Sequence, residues 1–282
     1  MAISRAQLLK ELLPGLNALF GMEYARYDDE HSAIYETESS DRSFEEEVKL
    51  SGFDAAPVKD EGSAISYDAA QESFTARYNH ETIAMGFAIT EEAMEDNLYD
   101  SLSARYTKAL ARAMAHTKQV KAVVPLNNGF TAAYQGGDGV NLFTASGDGV
   151  TGGDGHPLVS GGKNSNRPAT AVDLNETSLE AAVIQIGKWT DERGLMIAAR
   201  PQTLVIPPDL QFVATRVMKS ELRPGTADND VNAVRSMGVV PGGTVVNHYL
   251  TDTDAWFLLT DVPNGMKHFN RVALETSMDG DF

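Results

Sequence analysis

Apolar positions along this chain keep three different rhythms. Near the start Leu8, Leu9, Leu12, Leu13, Leu16 and Phe20 fall at helical spacing, which predicts an amphipathic helical arm. From Ala33 to Ile89 the period shortens to that of strands. In FEEEVKL, Phe44, Val48 and Leu50 share one parity, and SFTARYNHETIAMGFAI is rich in β-branched and aromatic residues. A polar tip with Gly52, Pro57 and Gly62 lies between them, so the pair predicts a long extended hairpin. Two strands alone are marginally stable in water, and their free edges invite association. Either the rest of the chain or another chain must cover this hairpin, and the pattern leans toward another chain.

The third rhythm is a long helix in TEEAMEDNLYDSLSARYTKALARAMAHTKQVKAVVP. Met94, Leu98, Leu102, Tyr106, Leu110 and Ala113 recur every three or four residues, and Thr90 can cap the start. Glu91, Glu92 and Glu95 come early while Arg112, Lys118 and Lys121 come late, an order that suits the helix dipole. Pro125 is expected to end a helix of roughly 40 to 50 Å.

Gly136 to Arg167 reads as loop, and from Val172 the pattern becomes α/β. Thr177 and Glu180 form a possible capping box for a helix through Ala181, Ile184 and Trp189 to Gly194. TLVIPP predicts a short buried strand. Pro208 then opens a helix with Leu210, Val213, Ala214 and Val217 on one face, stopped by Gly225 and the TADND turn. GVVPGGTVVNHYLTDTDAWFLLTDVP predicts two or three strands joined by Gly-Gly and Thr-Asp-Thr-Asp turns. No internal repeat or low-complexity tract is visible, and one compact α/β body with two extensions accounts for the chain.

Composition narrows the function classes. The length of 282 residues suggests about two domains, and 42% hydrophobic content is enough for an ordinary core. The absence of cysteine removes disulfides, thiolate catalysis and cysteine-based zinc sites. With 40 acidic and 23 basic residues the formal charge is −17, which repels phosphate backbones and argues against a dedicated nucleic-acid binder. No run approaches the ~20 apolar residues of a membrane span. Lys10 and Glu11 interrupt the N-terminal helix and no small-residue cleavage site follows, so the protein is expected to stay in the cell that makes it.

Candidate chemistry is sparse. GGDGVNLF resembles one unit of a calcium-binding β-helix repeat, but such repeats need several stacked copies, and Asn141 stands where aspartate is usual. SGGKNSN invites a phosphate-loop reading, which Pro157 in a required glycine position and Asn164 in the Ser/Thr position reject. His80-Glu81 begins like a zinc-protease helix, yet Ala84 occupies the place of the second histidine. Asp252 and Asp254 can be imagined as an acid/base pair, although their setting favours a hairpin turn. The six histidines His31, His80, His116, His156, His248 and His268 are scattered. No catalytic, cofactor-binding or metal-binding residue is assigned.

HPLVSGGKNSNRPATAVDLNETSLEAAV, DERG, PQTLVIPPDLQFVATRVMKSELRPGTADNDVN and YLTDTDAWFLLTD together resemble major head subunits of Mu-like phages and prophages, within the Hong Kong 97-type capsid fold. The likeness is specific from Leu158 to Leu259. It implies an α+β fold with residues 1–33 as N-terminal arm and 34–89 as extended β-hairpin loop with peripheral-domain strands. Residues 90–124 become the spine helix of the peripheral domain, 125–250 mainly the axial domain, and 251–282 the returning strands.

The function implied is structural: a major capsid protein whose hexamers and pentamers close an icosahedral or prolate shell around double-stranded DNA. The hairpin of one subunit would lie over a neighbour's spine helix. Portal, scaffold and decoration proteins are the implied partners, with no membrane involved, and the location implied is the virion, assembled in the host cytoplasm. An acidic wall would enclose DNA without holding it through counterion release. Some shells of this fold carry a lysine–asparagine cross-link. Lys49, Lys59 and Asn270 are the residues in suitable segments, and each reads more simply as a solvated surface residue. Because the arm follows Met1 at once, a scaffold, if used, is expected to be a separate protein. An encapsulin-like nanocompartment of the same fold and an acidic calcium-binding adhesin are the alternatives.

Overall fold

The computed structural model describes residues 5–89, 99–147, 154–223 and 230–277. Its centre is strand β6 (Pro201–Ile206), where Leu204, Val205 and Ile206 are fully buried. β6 pairs in parallel with β7 (Thr244–Val246) and antiparallel with β8 (Phe257–Thr260), giving the order β7-β6-β8. Side chains alternate across this sheet. Val205 and Phe257 pack with Ile34, Val123, Leu126 and Leu250 on one face, and Leu204 and Ile206 pack with Leu174, Ala214 and Val240 on the other. A strand covered on both faces needs apolar residues at every position, which is why TLVI shows no alternation. Each such aliphatic side chain contributes about 1.5–3 kcal/mol by leaving water.

Helices cover the second face. α3 (Glu176–Gly187) is capped by Asn175, whose side chain accepts from the Ser178 backbone N–H while the Ser178 hydroxyl receives the Asn175 N–H. The Thr177/Glu180 box is therefore displaced to Asn175/Ser178. The helix also stops at Gly187, short of the expected Gly194: Trp189 lies past its end and donates its indole N–H to the Ser165 carbonyl at 3.0 Å. α4 (Gln211–Lys219) follows a 3-10 turn at Pro208–Leu210 and buries Ala214 and Val217, as its spacing predicts. Gly225 and most of TADND, expected to stop it, lie outside the described residues. α5 (Ala233–Met237) starts at Asn232 and ends at Gly238, whose φ of 60° is the left-handed conformation glycine adopts freely. The buried Asn232 amide donates to the Val217 carbonyl at 2.7 Å and its oxygen accepts from Arg235 N–H, so one side chain finishes α4 and begins α5.

The Thr-Asp-Thr-Asp segment is not a hairpin turn. β7 and β8 flank β6 on opposite edges, so residues 247–256 cross over the sheet between them. Gly242 and Gly243 lead into β7 rather than joining two strands, and Gly242 N–H donates to the Gln202 carbonyl at 2.7 Å. That close approach of two backbones leaves no room for a side chain.

The long helix α2 (Tyr99–Asn128) runs through Pro125 instead of ending at it. A proline one turn from the end removes only one intrahelical donor, and the burial of Val123 and Leu126 on either side outweighs that loss. The buried stripe is also not the expected one. Ser103, Thr107, Ala111, Ala115, Gln119 and Val123 are buried, while Tyr106 is exposed and Leu102, Leu110 and Ala113 are half-buried. α1 (Arg5–Tyr24) packs along α2, and small residues let two helices approach closely. Thr90, Glu91, Glu92, Met94, Glu95 and Leu98, assigned to the same helix from sequence, lie outside the described residues.

The remaining strands build the extension. β1 (Glu36–Ser39) pairs in parallel with β9 (Lys267–Asn270). β2 (Phe44–Leu50) and β3 (Glu72–Asn79) form the expected antiparallel hairpin, although β3 ends at Asn79 and does not continue to Ile89. β4 (His156–Pro157) and β5 (Lys163–Asn164) make a small hairpin within the predicted loop. Among the described residues no helix is long and apolar enough to cross a membrane.

Candidate self-association surface

Strand β2 presents its faces in an inverted sense, while β3 turns Phe74, Ala76 and Tyr78 inward. Glu45 and Glu47 point toward the body and are half-buried, whereas Phe44, Val48 and Leu50 point outward and are 37%, 47% and 64% exposed. The inward carboxylates have partners: Glu45 accepts from the Ser40 hydroxyl at 2.6 Å, and Lys267 Nζ sits between Glu47 and Glu38. Hydrogen bonds donated to Glu47 and then Glu38 hold that lysine well above the usual lysine pKa. Tyr78 stacks near Phe269 at 5.2 Å, and burial followed by the Glu47 charge raises its pKa. Outward, the Arg77 guanidinium lies 4.4 Å from the Phe44 ring centre and reaches Glu46.

Gly137 supports the hairpin from below, since any Cβ there would come within 2.7 Å of the Thr75 carbonyl oxygen. Past Leu50 the strands stop pairing, and residues 52–72 are all exposed, with Val58 and Tyr67 at 95% and 94%. Water-facing side chains of that size along one loop are an association surface by the ordinary logic of apolar burial.

A second part of this surface lies on α2. Leu102, Arg105, Tyr106 and Ala109 line a hollow of about 290 Å³, with Phe87 set against Tyr106 at 5.7 Å between ring centres. Leu102 and Tyr106 belong to the apolar recurrence read from the sequence; in the fold Leu102 is half-buried and Tyr106 exposed. Another shallow hollow, about 370 Å³, lies between α3 and Trp189.

The residues examined for chemistry disperse. Asp138 of the calcium-like turn is held by His156 Nδ1 at 2.6 Å, and Asn141 is buried with its amide donating to the Phe130 carbonyl. Lys163 of the phosphate-loop look-alike pairs with Asp154 within the β4–β5 region. His80 meets the Ser40 hydroxyl at 2.9 Å, and Glu81 pairs with Lys121 on α2 at 2.7 Å, so the two serve separate contacts. Asp252 and Asp254 do interact: a hydrogen bond with Asp252 raises the Asp254 pKa, within the exposed stretch 251–254 of the crossover. Among the described residues no group of three or more His, Asp or Glu side chains could hold a metal. Of the cross-link candidates, Lys49 is paired with Glu192, Lys59 is exposed in the loop, and the Asn270 carbonyl accepts from Ser40 N–H.

One contact set was missed. Arg193 donates to the Gly52 and Ala69 carbonyls at 3.2 and 2.8 Å, joining the body to the root of the loop. DERG carried this signal only as a charged turn, without a hint of its partner.

The phage capsid protein family matches residues 73–282. No curated protein matches the chain. Among solved structures, the procapsid protein of bacteriophage JBD30 is 15% identical with a TM-score of 0.58, over 88% of this chain and 100% of that one. The chain from the JBD30 capsid decorated with minor capsid protein trimers is 15% identical with a TM-score of 0.54, over 77% of this chain and 89% of that one. These likenesses fix the α+β fold as that of phage capsid chains.

Proposed function

We infer that this chain, which belongs to the phage capsid protein family, is the major head subunit of a tailed bacteriophage and builds a closed icosahedral or prolate shell around double-stranded DNA. It is a structural protein and not an enzyme. The observation that carries the shell reading is the outer face of β2: Glu45 and Glu47 turn to the chain's own body while Phe44, Val48 and Leu50 face water, an arrangement that favours cover by other copies. The JBD30 capsid and procapsid chains, which share the fold, come from such shells.

Within the family we place the chain with the Mu-like head subunits of the Hong Kong 97-type fold, on the segments between Leu158 and Leu259. We assign 1–33 to the N-terminal arm, 34–89 to the extended loop and peripheral strands, 90–124 to the spine helix, 125–250 mainly to the axial domain and 251–282 to the returning strands. The β2–β3 hairpin, the pairing of β1 with β9 and the two-faced sheet around β6 support this division. Hexamers and pentamers of this chain would be joined by portal, scaffold and decoration proteins, and DNA would be enclosed without specific binding, in keeping with the charge of −17.

Electron microscopy of the purified protein is the test. Shells tens of nanometres across are expected, and only unassembled chains at high concentration would end the reading. Shells carrying protein cargo and no DNA in the producing cell would turn it toward a nanocompartment.

A further inference from the structure

The tip of the hairpin is held by one turn of the body, and the chemistry of that hold is unlike the rest of the interior. The Asp191–Leu195 turn is built without the loop: Asp191 Oδ1 accepts from the Arg193 and Leu195 N–H groups, Asp191 N–H donates to the Leu195 carbonyl, and Gly194 takes a φ of 86°. Glu192, 4% exposed, moors it to the body, its carboxylate accepting from Val159 N–H and its carbonyl from Ser160 N–H. From this fixed base two side chains reach out. Glu192 pairs with Lys49 near the end of β2, and Arg193 bridges both arms of the loop through the Gly52 and Ala69 carbonyls and the Asp54 carboxylate.

We propose that the Asp191–Leu195 turn is a releasable clasp that keeps loop 52–71 on its own subunit until a neighbouring copy takes it. The proposal rests on the self-assembly reading above. Every contact named between the turn and the loop is polar, and Phe53, Val58, Ile65 and Tyr67 stay uncovered while the clasp is closed. The contacts are few, and the Arg193–Asp54 pair, exposed on its Asp54 side, is weakened by salt, whereas burial of apolar side chains against a second copy is not. Opening the clasp therefore unfolds neither the turn nor the hairpin, and covering the freed apolar side chains drives the exchange.

Hydrogen exchange on the unassembled full-length chain tests the clasp without reference to shells. In Arg193→Ala, amides of 51–71 should exchange roughly fivefold faster at low salt, about the effect of losing one net hydrogen bond, with residues 154–190 unchanged. High salt should raise the wild-type rates part of the way, through the Asp54 pair alone. Arg193→Lys should lie between, and Asp54→Asn, altered only at an exposed side chain, should give a smaller rise even if the arginine variants fold poorly. Equal rates in variant and wild type, or faster exchange throughout 154–190, would overturn the proposal. Light scattering adds the second arm: Arg193→Ala should assemble faster than wild type at low salt, with a smaller difference at high salt. No acceleration also counts against the clasp. A wild-type chain that never assembles would sink the self-assembly reading while the exchange contrast still decides the clasp.

Discussion

The imidazoles of His31 and His268 meet edge to face, 4.9 Å between ring centres, where the turn before β1, helix α2 and strand β9 converge. His31 is buried, and its Nδ1 lies 3.3 Å from the Gln119 side-chain oxygen. Lys118 and Asp29, paired at 3.0 Å, are the charged groups beside them. Burial lowers the pKa of both rings; Lys118 lowers both further, His31 also lowers that of His268, and Asp29 opposes.

A pH dependence follows from this pair. Above about pH 6.5 both rings are neutral in folded and unfolded chain alike, so the shift has no effect. As pH falls below that value the unfolded chain binds protons that the folded chain refuses, and stability declines until the folded pKa values are passed. Thermal melting from about pH 7.5 down to about pH 5 should show a falling Tm, and His268→Phe should flatten the slope. An unchanged slope in the variant would show that other groups set the dependence.

Asn232→Ala should destabilise the chain by about 2 kcal/mol, since it removes the cap of α5 and strands the Val217 carbonyl together. Denaturant unfolding reads this directly. A loss below about 0.5 kcal/mol would mean that water replaces the amide.

Leu204→Ala, at a fully buried position in the central strand, should cost about 3 kcal/mol through lost burial and the cavity left behind. The midpoint of unfolding should fall accordingly.

Val48→Glu puts a charge on the outward face of β2. The unassembled chain should keep its stability to within about 0.5 kcal/mol, yet particles should vanish from electron micrographs. Shells of normal yield would show that this face stays in water.

How much of this was legible in the sequence depends on where each residue finds its cover. The hairpin was readable because Phe44, Val48 and Leu50 share a parity, and β6 because TLVI is unbroken. The face of α2 was not. The recurrence of Leu102 and Tyr106 at helical spacing marked one face, but the residues buried are Ser103, Thr107, Ala111 and Ala115. Large apolar residues on the outer side of that helix carry the same letters as core residues. The crossover between β7 and β8 was hidden for a related reason: TDTD has turn chemistry, and only the insertion of β6 between the two strands shows that they never meet. The surface itself was anticipated as a hairpin needing cover, while Arg193 was silent because its partners at Gly52 and Ala69 are backbone carbonyls, which leave no trace in side-chain pattern.

Among the described residues β1 is paired by β9, which lies most of the chain's length downstream of it. Throughout synthesis the hairpin that follows β1 is thus present without Lys267 to neutralise Glu47 or Phe269 to meet Tyr78. A nascent chain has its sticky strands before it has their mooring, and growing polysomes hold many such chains side by side. Closure of β1 against β9 therefore comes after the hairpin has been made, and the nascent chain carries that strand unmoored in between.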